Sequence, residues 1–114
     1  METGLVAKIE FPRQKQTFVV LASEGTASPG EVGNCVLSAD ADSQFAVFRD
    51  IDIGDEIVVN NGDIVRYRVR SIRVVRASDT ALLQDFGDRR ITFLAAYSAV
   101  EPNLRYAIVA ISKG

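Results

Sequence analysis

The sequence predicts an all-β domain, either a sandwich or a closed barrel. Short runs of alternating apolar and polar residues recur between turn-forming residues. No long stretch shows apolar residues at helical spacing. With 114 residues, 47% apolar and 25% charged, there is room for one core, so residues 1–114 read as a single domain.

The elements follow in order. Leu5–Phe11 and Gln16–Ala22 are two β-rich runs around Pro12-Arg13-Gln14-Lys15, a hairpin signal. Residues 23–33, "SEGTASPGEVG", are mostly small or turn-forming and read as a surface loop. Asn34–Ala39 is a short apolar strand. Residues 40–50, "DADSQFAVFRD", open on an Asp/Ser cluster and suit one helical turn presenting Phe45 and Phe48. Asp55–Val59 is the next strand, and Asn60-Asn61-Gly62-Asp63 a tight turn. Ile64–Arg76 is the longest strand, with Val65, Tyr67 and Val69 on one face and Arg66, Arg68 and Arg70 on the other. The phase slips near Ser71, after which Ile72 and Val74 form the apolar set, as a β-bulge would produce. Ser78–Leu83 reads as a helical turn capped by Ser78 or Asp79. After a loop at Asp85–Arg90, "ITFLAAYSAVEPNLRYAIVAI" (91–111) closes the chain as two strands joined by a polar turn. The expected core includes Ile9, Phe18, Val20, Val36, Ile57, Tyr67, Val69, Phe93 and Ile108.

Composition removes several kinds of chemistry. The chain has no histidine, and with it lacks the commonest near-neutral acid/base and the commonest metal ligand. Its single cysteine, Cys35, excludes an intrachain disulfide and lies inside an apolar strand next to Val36 and Leu37, so it reads as a small buried hydrophobe rather than a nucleophile. A net charge of −2 argues against a nucleic-acid partner, since no general excess of cations is available to release counterions. The stripe Arg66, Arg68, Arg70, Arg73 and Arg76 therefore reads as a solvated outer face with Asp55, Glu56 and Asp63 as cross-strand partners. No run of 18 apolar residues is present, so neither a membrane-spanning segment nor a signal peptide is expected. A native start at Met1 implies the cytoplasm; a removed anchor would imply the cell envelope.

Four stretches, in order, resemble the sortases, transpeptidases that join surface proteins to the bacterial envelope. "ASPGEVGNCVLSADADSQF" (27–45) is similar to a turn of the form small-Pro-Gly-Glu-x-Gly-Asn leading into a strand that ends Gly-His-Arg-Asp. "IDIGDEIVV" (51–59) resembles the Gly-Asp-x-Ile strand after it, and "YRVRSIRVVRASDTALL" (67–83) the long strand with its Asp-x-x-x-Leu turn. The closing pair resembles Thr-Leu-x-Thr-Cys, a loop, and Arg followed by Val-Val-x-Ala. The resemblance implies a closed or nearly closed sortase-like β-barrel of seven to eight strands with one or two short helical turns.

Position by position, the resemblance puts Ala96 in place of the nucleophilic cysteine and Ala95 in place of the threonine before it. Asp40 takes the histidine position, with Asp42 and Phe45 matching the family's Asp and Phe. Only the arginine, Arg105, is kept. The loop before Ser23 is shorter than in the family, which would trim one wall of the peptide groove. A thiolate and a positioned imidazole are needed for the family's thioacyl chemistry, and neither position supplies one. The expected function is thus a catalytically inactive binding or scaffolding module using a groove at Asp40, Ala95, Ala96 and Arg105 for a peptide or protein ligand. Alternatives are a divergent sortase-like, cysteine-independent hydrolase or transpeptidase using Asp40, an activated water and Arg105, and a purely structural, homo-oligomer-forming barrel. No cofactor or metal is expected. Some sortases hold calcium at an acidic site, but Asp40, Asp42, Asp50, Asp52 and Asp55 lack the spacing of an EF-hand loop and read as caps and turns. Arg105 is expected to pair with Asp40, directly or through one water, with Glu101 as the rival partner.

Overall fold

A computed structural model describes residues 7–20, 24–25, 30, 32–39, 50–79, 81, 84, 86–98 and 100–112. Eight strands form one sheet: β1 (Ala7–Phe11), β2 (Gln16–Val20), β3 (Glu24–Gly25), β4 (Gly33–Ala39), β5 (Glu56–Asn60), β6 (Ile64–Arg76), β7 (Arg89–Ser98) and β8 (Glu101–Ser112). Their order across the sheet is β2-β1-β5-β6-β8-β7-β4-β3. Among the described residues every pairing is antiparallel except β4 with β7.

The sheet curls into a nearly closed barrel. β1 and β7 are four strands apart, a separation of roughly 19 Å in a flat sheet. Yet the rings of Phe11 and Phe93 lie 5.6 Å apart, centroid to centroid, in a tilted contact. Around them, Ile9, Leu37, Ile57, Val59, Tyr67, Val69, Ile91 and Ile108 fill the interior. Of the expected core residues, Ile9, Val36, Ile57, Tyr67, Val69, Phe93 and Ile108 are buried. The side chains of Phe18 and Val20 lie outside the described set, as do Phe45 and Phe48. Ile51 joins the core unannounced by any alternation.

Local chemistry explains the connections. The β1–β2 turn closes with Lys15 N–H donating to the Pro12 carbonyl at 3.1 Å. Between β5 and β6, Gly62 takes φ 110° and leaves three loop residues between the pair Asn60 and Ile64. Asp79 accepts from the Ala81 N–H at 3.0 Å, as a capping carboxylate does. On β6 the register skips Arg70, with Val69 opposite Ala110 and Ser71 opposite Val109, which is the expected bulge.

Three expectations are corrected. Residues 23–33 are not wholly loop: Glu24 and Gly25 pair with Val36 and Cys35, and Gly30 is buried. Val74 is 45% exposed although it follows the slipped apolar phase, because β6 and β8 are near the end of their pairing there. Of the three acids proposed for the arginine stripe, Glu56 alone takes that role, meeting Arg66 at 3.3 Å. Asp55 instead receives Arg13 at 2.9 Å from the β1–β2 turn.

The β4–β7–β8 part of the sheet is covered on both faces. Cys35, Leu37, Ile91 and Phe93 face the central cluster, whereas Val36, Ala107 and Val109 are buried outside it. Two buried polar groups share that second face: Thr92 Oγ1 donates to Asn34 Oδ1 at 2.8 Å, and Asn34 Nδ2 donates to the Gln84 carbonyl at 2.9 Å.

Candidate functional site

Three strand ends converge where the sequence places the groove. In the parallel pairing of β4 with β7, Ala39 is opposite Ala95. In the antiparallel pairing of β7 with β8, Ala95 is opposite Tyr106 and Ala96 opposite Arg105. The alanine assigned to the nucleophile position and the arginine are thus register partners. Immediately after Ala96 the register shifts before Ser98, an irregularity of the kind that re-aims side chains at strand ends. Asp40 follows Ala39 in the chain but lies outside the described residues, as does any pairing between Asp40 and Arg105.

Arg105 is half-buried, and its Nη1 donates to the Leu104 carbonyl at 3.0 Å. No ion pair joins it to the rival partner Glu101 among the described residues, where Glu101 is opposite Ser98 in the hairpin. Ala95 is 9% exposed and belongs to the core cluster. A methyl group there offers no proton and no lone pair.

The one thiol of the chain is elsewhere. Cys35 is a fully buried thiol in the middle of β4, opposite Ile91 and four residues before Ala39. Among the described residues no group of three or more Asp, Glu or Cys side chains is arranged to hold a metal ion. Asp52 and Asp55 are engaged by Arg13. Within the described residues, no helix is long and apolar enough to cross a membrane.

Tyr67 anchors the glycine turn that leads into β4. Its hydroxyl accepts the Gly30 N–H at 3.0 Å. Burial pushes the phenol up to about 12, against the hydrogen bond from Gly30. Arg89 was not expected to matter. It has the inward parity of Ile91, Phe93 and Ala95, and its Nε is buried with no hydrogen-bond partner. The signal was present as a cation at an inward position of an otherwise apolar alternation.

A nearly closed eight-stranded barrel with an arginine-bearing strand at its site defines a β-barrel of the sortase type. The chain belongs to the sortase family, whose domain model matches residues 5–112. No curated protein sequence matches it. Among solved structures it is similar to the Sortase D5 transpeptidase of Clostridium perfringens, with 23% identity and a TM-score of 0.85 over 96% of this chain and 79% of that one. It is also similar to sortase A of Listeria monocytogenes, with 18% identity and a TM-score of 0.84 over 97% of this chain and 88% of the other. A lid mutant of Streptococcus agalactiae Sortase C1 matches with 19% identity and a TM-score of 0.86, covering 99% and 71% of the two chains. At these identities the structural likeness speaks for the fold.

Proposed function

We propose that this chain is a sortase-fold module without transpeptidase activity, which binds a peptide or protein segment in the groove where β4, β7 and β8 end. The observation that carries the reading is the register pair of Ala96 with Arg105. Arginine is suited to hold an oxyanion or a carboxylate, but across from it stands a residue that cannot attack a carbonyl. The chain has no histidine and its sole cysteine is buried, so no other thiol–imidazole pair can substitute. Loss of a nucleophile leaves at best the stabilisation by the remaining donors, which cannot form a covalent intermediate.

The test combines turnover and binding. A fluorogenic sorting-signal peptide incubated with the protein is expected to show no cleavage above background and no thioester by mass spectrometry. The same peptide, titrated while backbone amide signals are followed, is expected to move those of Ala95, Ala96 and Arg105. Arg105→Ala should weaken that binding about tenfold, the usual scale for a lost charge-assisted hydrogen bond. Cleavage abolished by Asp40→Asn would replace this reading with a cysteine-independent hydrolase. Absence of both cleavage and binding would leave the barrel with a structural role.

A further inference from the structure

We propose that a second site, at the opposite end of the barrel, binds a compact oxyanion carrying two or more negative charges. The inference does not rest on the function proposed above. Arg89 and Ala96 are seven residues apart on β7, roughly 23 Å along the strand.

The site arises because β6 outruns its neighbour. β8 ends at Ser112, and its last register pair with β6 is Ile111 with Arg68. Residues Ile64–Arg66 therefore extend past β8 and leave one edge of β6 without a strand beside it among the described residues. A groove of about 620 Å³ follows this edge, within the range that takes small ligands. Arg66, Arg68, Arg70, Arg89, Glu56 and Ser112 line it together with apolar side chains.

The charges in the groove do not balance. Among the described residues its single carboxylate, Glu56, is engaged by Arg66. Arg68 donates to the neutral Gly54 carbonyl at 2.8 Å, which leaves its charge uncompensated. Arg70 and Arg89 form no ion pair among the described residues, and the Arg89 Nε–H is buried with no acceptor. Three cations thus share one concavity in a chain whose net charge is −2. Their mutual repulsion is relieved by an anion seated among them.

Geometry narrows the ligand. Arg68 and Arg70 project from one strand, and Arg89 approaches from another with the opposite parity. A monocarboxylate satisfies one guanidinium fork, whereas a phosphate or a polycarboxylate offers oxygens to several forks at once. Arg73 and Arg76 continue the stripe but lie outside the groove, so the site is a pocket rather than a track for a polymer.

The experiment is a titration of the chain with inorganic phosphate, citrate or acetate at constant ionic strength, read by backbone amide shifts. Saturable binding of phosphate or of citrate is expected, with shifts concentrated at Arg68, Arg70, Arg89 and Ser112, and no saturation by acetate. Saturation by phosphate alone assigns a tetrahedral ligand, and by citrate alone a polycarboxylate; both support the site. Arg89→Gln and Arg70→Ser should each weaken binding about tenfold, while Arg76→Ser leaves it unchanged. Arg70 is exposed, so its variant keeps the test open even if Arg89→Gln fails to fold. The proposal is overturned if neither phosphate nor citrate saturates, if acetate binds equally well, or if Arg76→Ser weakens binding as much as Arg70→Ser. Tighter binding of a single-stranded oligonucleotide that depends on Arg73 and Arg76 would also overturn it.

Discussion

Tyr67 and Gly30 together show how single residues fix the approach to β4. Gly30 has φ 89°, a conformation that L side chains rarely adopt. A Cβ at that position would also sit 2.6 Å from Asn61 Nδ2. The Asn61 side chain would have to move, although its Oδ1 now accepts the Asp63 N–H at 3.1 Å. Gly30→Ala is therefore expected to lower stability by about 1–2 kcal/mol in urea unfolding, with an unchanged m-value. Tyr67 contributes a dependence on alkaline pH. Its folded pKa of about 12 lies above the ordinary phenol value of 10.0, so the unfolded chain loses its proton first. Stability supplied by the neutral phenol is fully present below pH ~10 and is lost as pH rises towards 12, by up to about 3 kcal/mol. Tyr67→Phe should flatten this alkaline limb. At neutral pH it should cost about 1–2 kcal/mol, since the Gly30 N–H loses its acceptor. A variant with the same alkaline limb as the parent would show that another group titrates there.

At the scale of elements, the β1–β2 turn works as a clamp on the loop between residues 50 and 55. Arg13 Nε lies 3.0 Å from both Asp55 carboxylate oxygens, and Arg13 Nη2 donates to the Asp50 carbonyl. Gln14 Nε2 adds contacts to the Asp50 carbonyl at 3.1 Å and to Asp55 at 3.2 Å. Asp55 in turn accepts the Asp52 N–H, and the turn docks on β6 through Gly54 N–H to the Val69 carbonyl, 2.9 Å. Burial alone would push the Asp55 carboxyl up, but the hydrogen bonds from Arg13, Asp52 and Gln14 outweigh it and hold it below the usual carboxylate range. The clamp's contribution is thus present above the unfolded pKa of ~3.9 and is lost as pH falls through the lower folded value. Asp55→Asn should flatten the acid limb of the stability profile, leaving the part that comes from Asp88, which the Arg90 hydrogen bonds hold low in the same way. An acid limb unchanged from the parent's would place the titration elsewhere.

These two elements also show what the sequence could and could not reveal. β6 was legible to both ends, Ile64 to Arg76, because thirteen residues of alternation and one slip record the strand and its bulge directly. The adjacency of Ala96 and Arg105 was legible through the family resemblance, which orders the closing hairpin. The clamp was not, since Arg13 and Asp55 are 42 residues apart and no local pattern links a turn to a distant loop. Ile51 and the short β3 were missed for the same reason: their burial and pairing are set by tertiary neighbours rather than by periodicity.

For the whole molecule, the strand order ties stability to the proposed lack of thiol chemistry. Cys35 lies on β4 between β7 and β3, with no exposed surface, and β7 in turn pairs with β8 along almost its whole length. A reagent reaches its sulfur only when β4 separates from β7, which exposes Ile91, Phe93 and the Phe11–Phe93 contact to water. That opening removes the centre of the core and should approach the free energy of global unfolding, about 5–15 kcal/mol for a domain of this kind. A disulfide reagent should therefore label Cys35 at least about a thousandfold more slowly in native buffer than in concentrated urea. Labelling should accelerate with denaturant along the slope of the unfolding transition, and Tyr67→Phe should speed it in proportion to its loss of stability. Rapid native labelling would show that the thiol is reachable without unfolding and would reopen the case for a displaced nucleophile. Slow labelling that tracks stability would make Cys35 a packing residue, in keeping with the binding function proposed for the groove at Ala96 and Arg105.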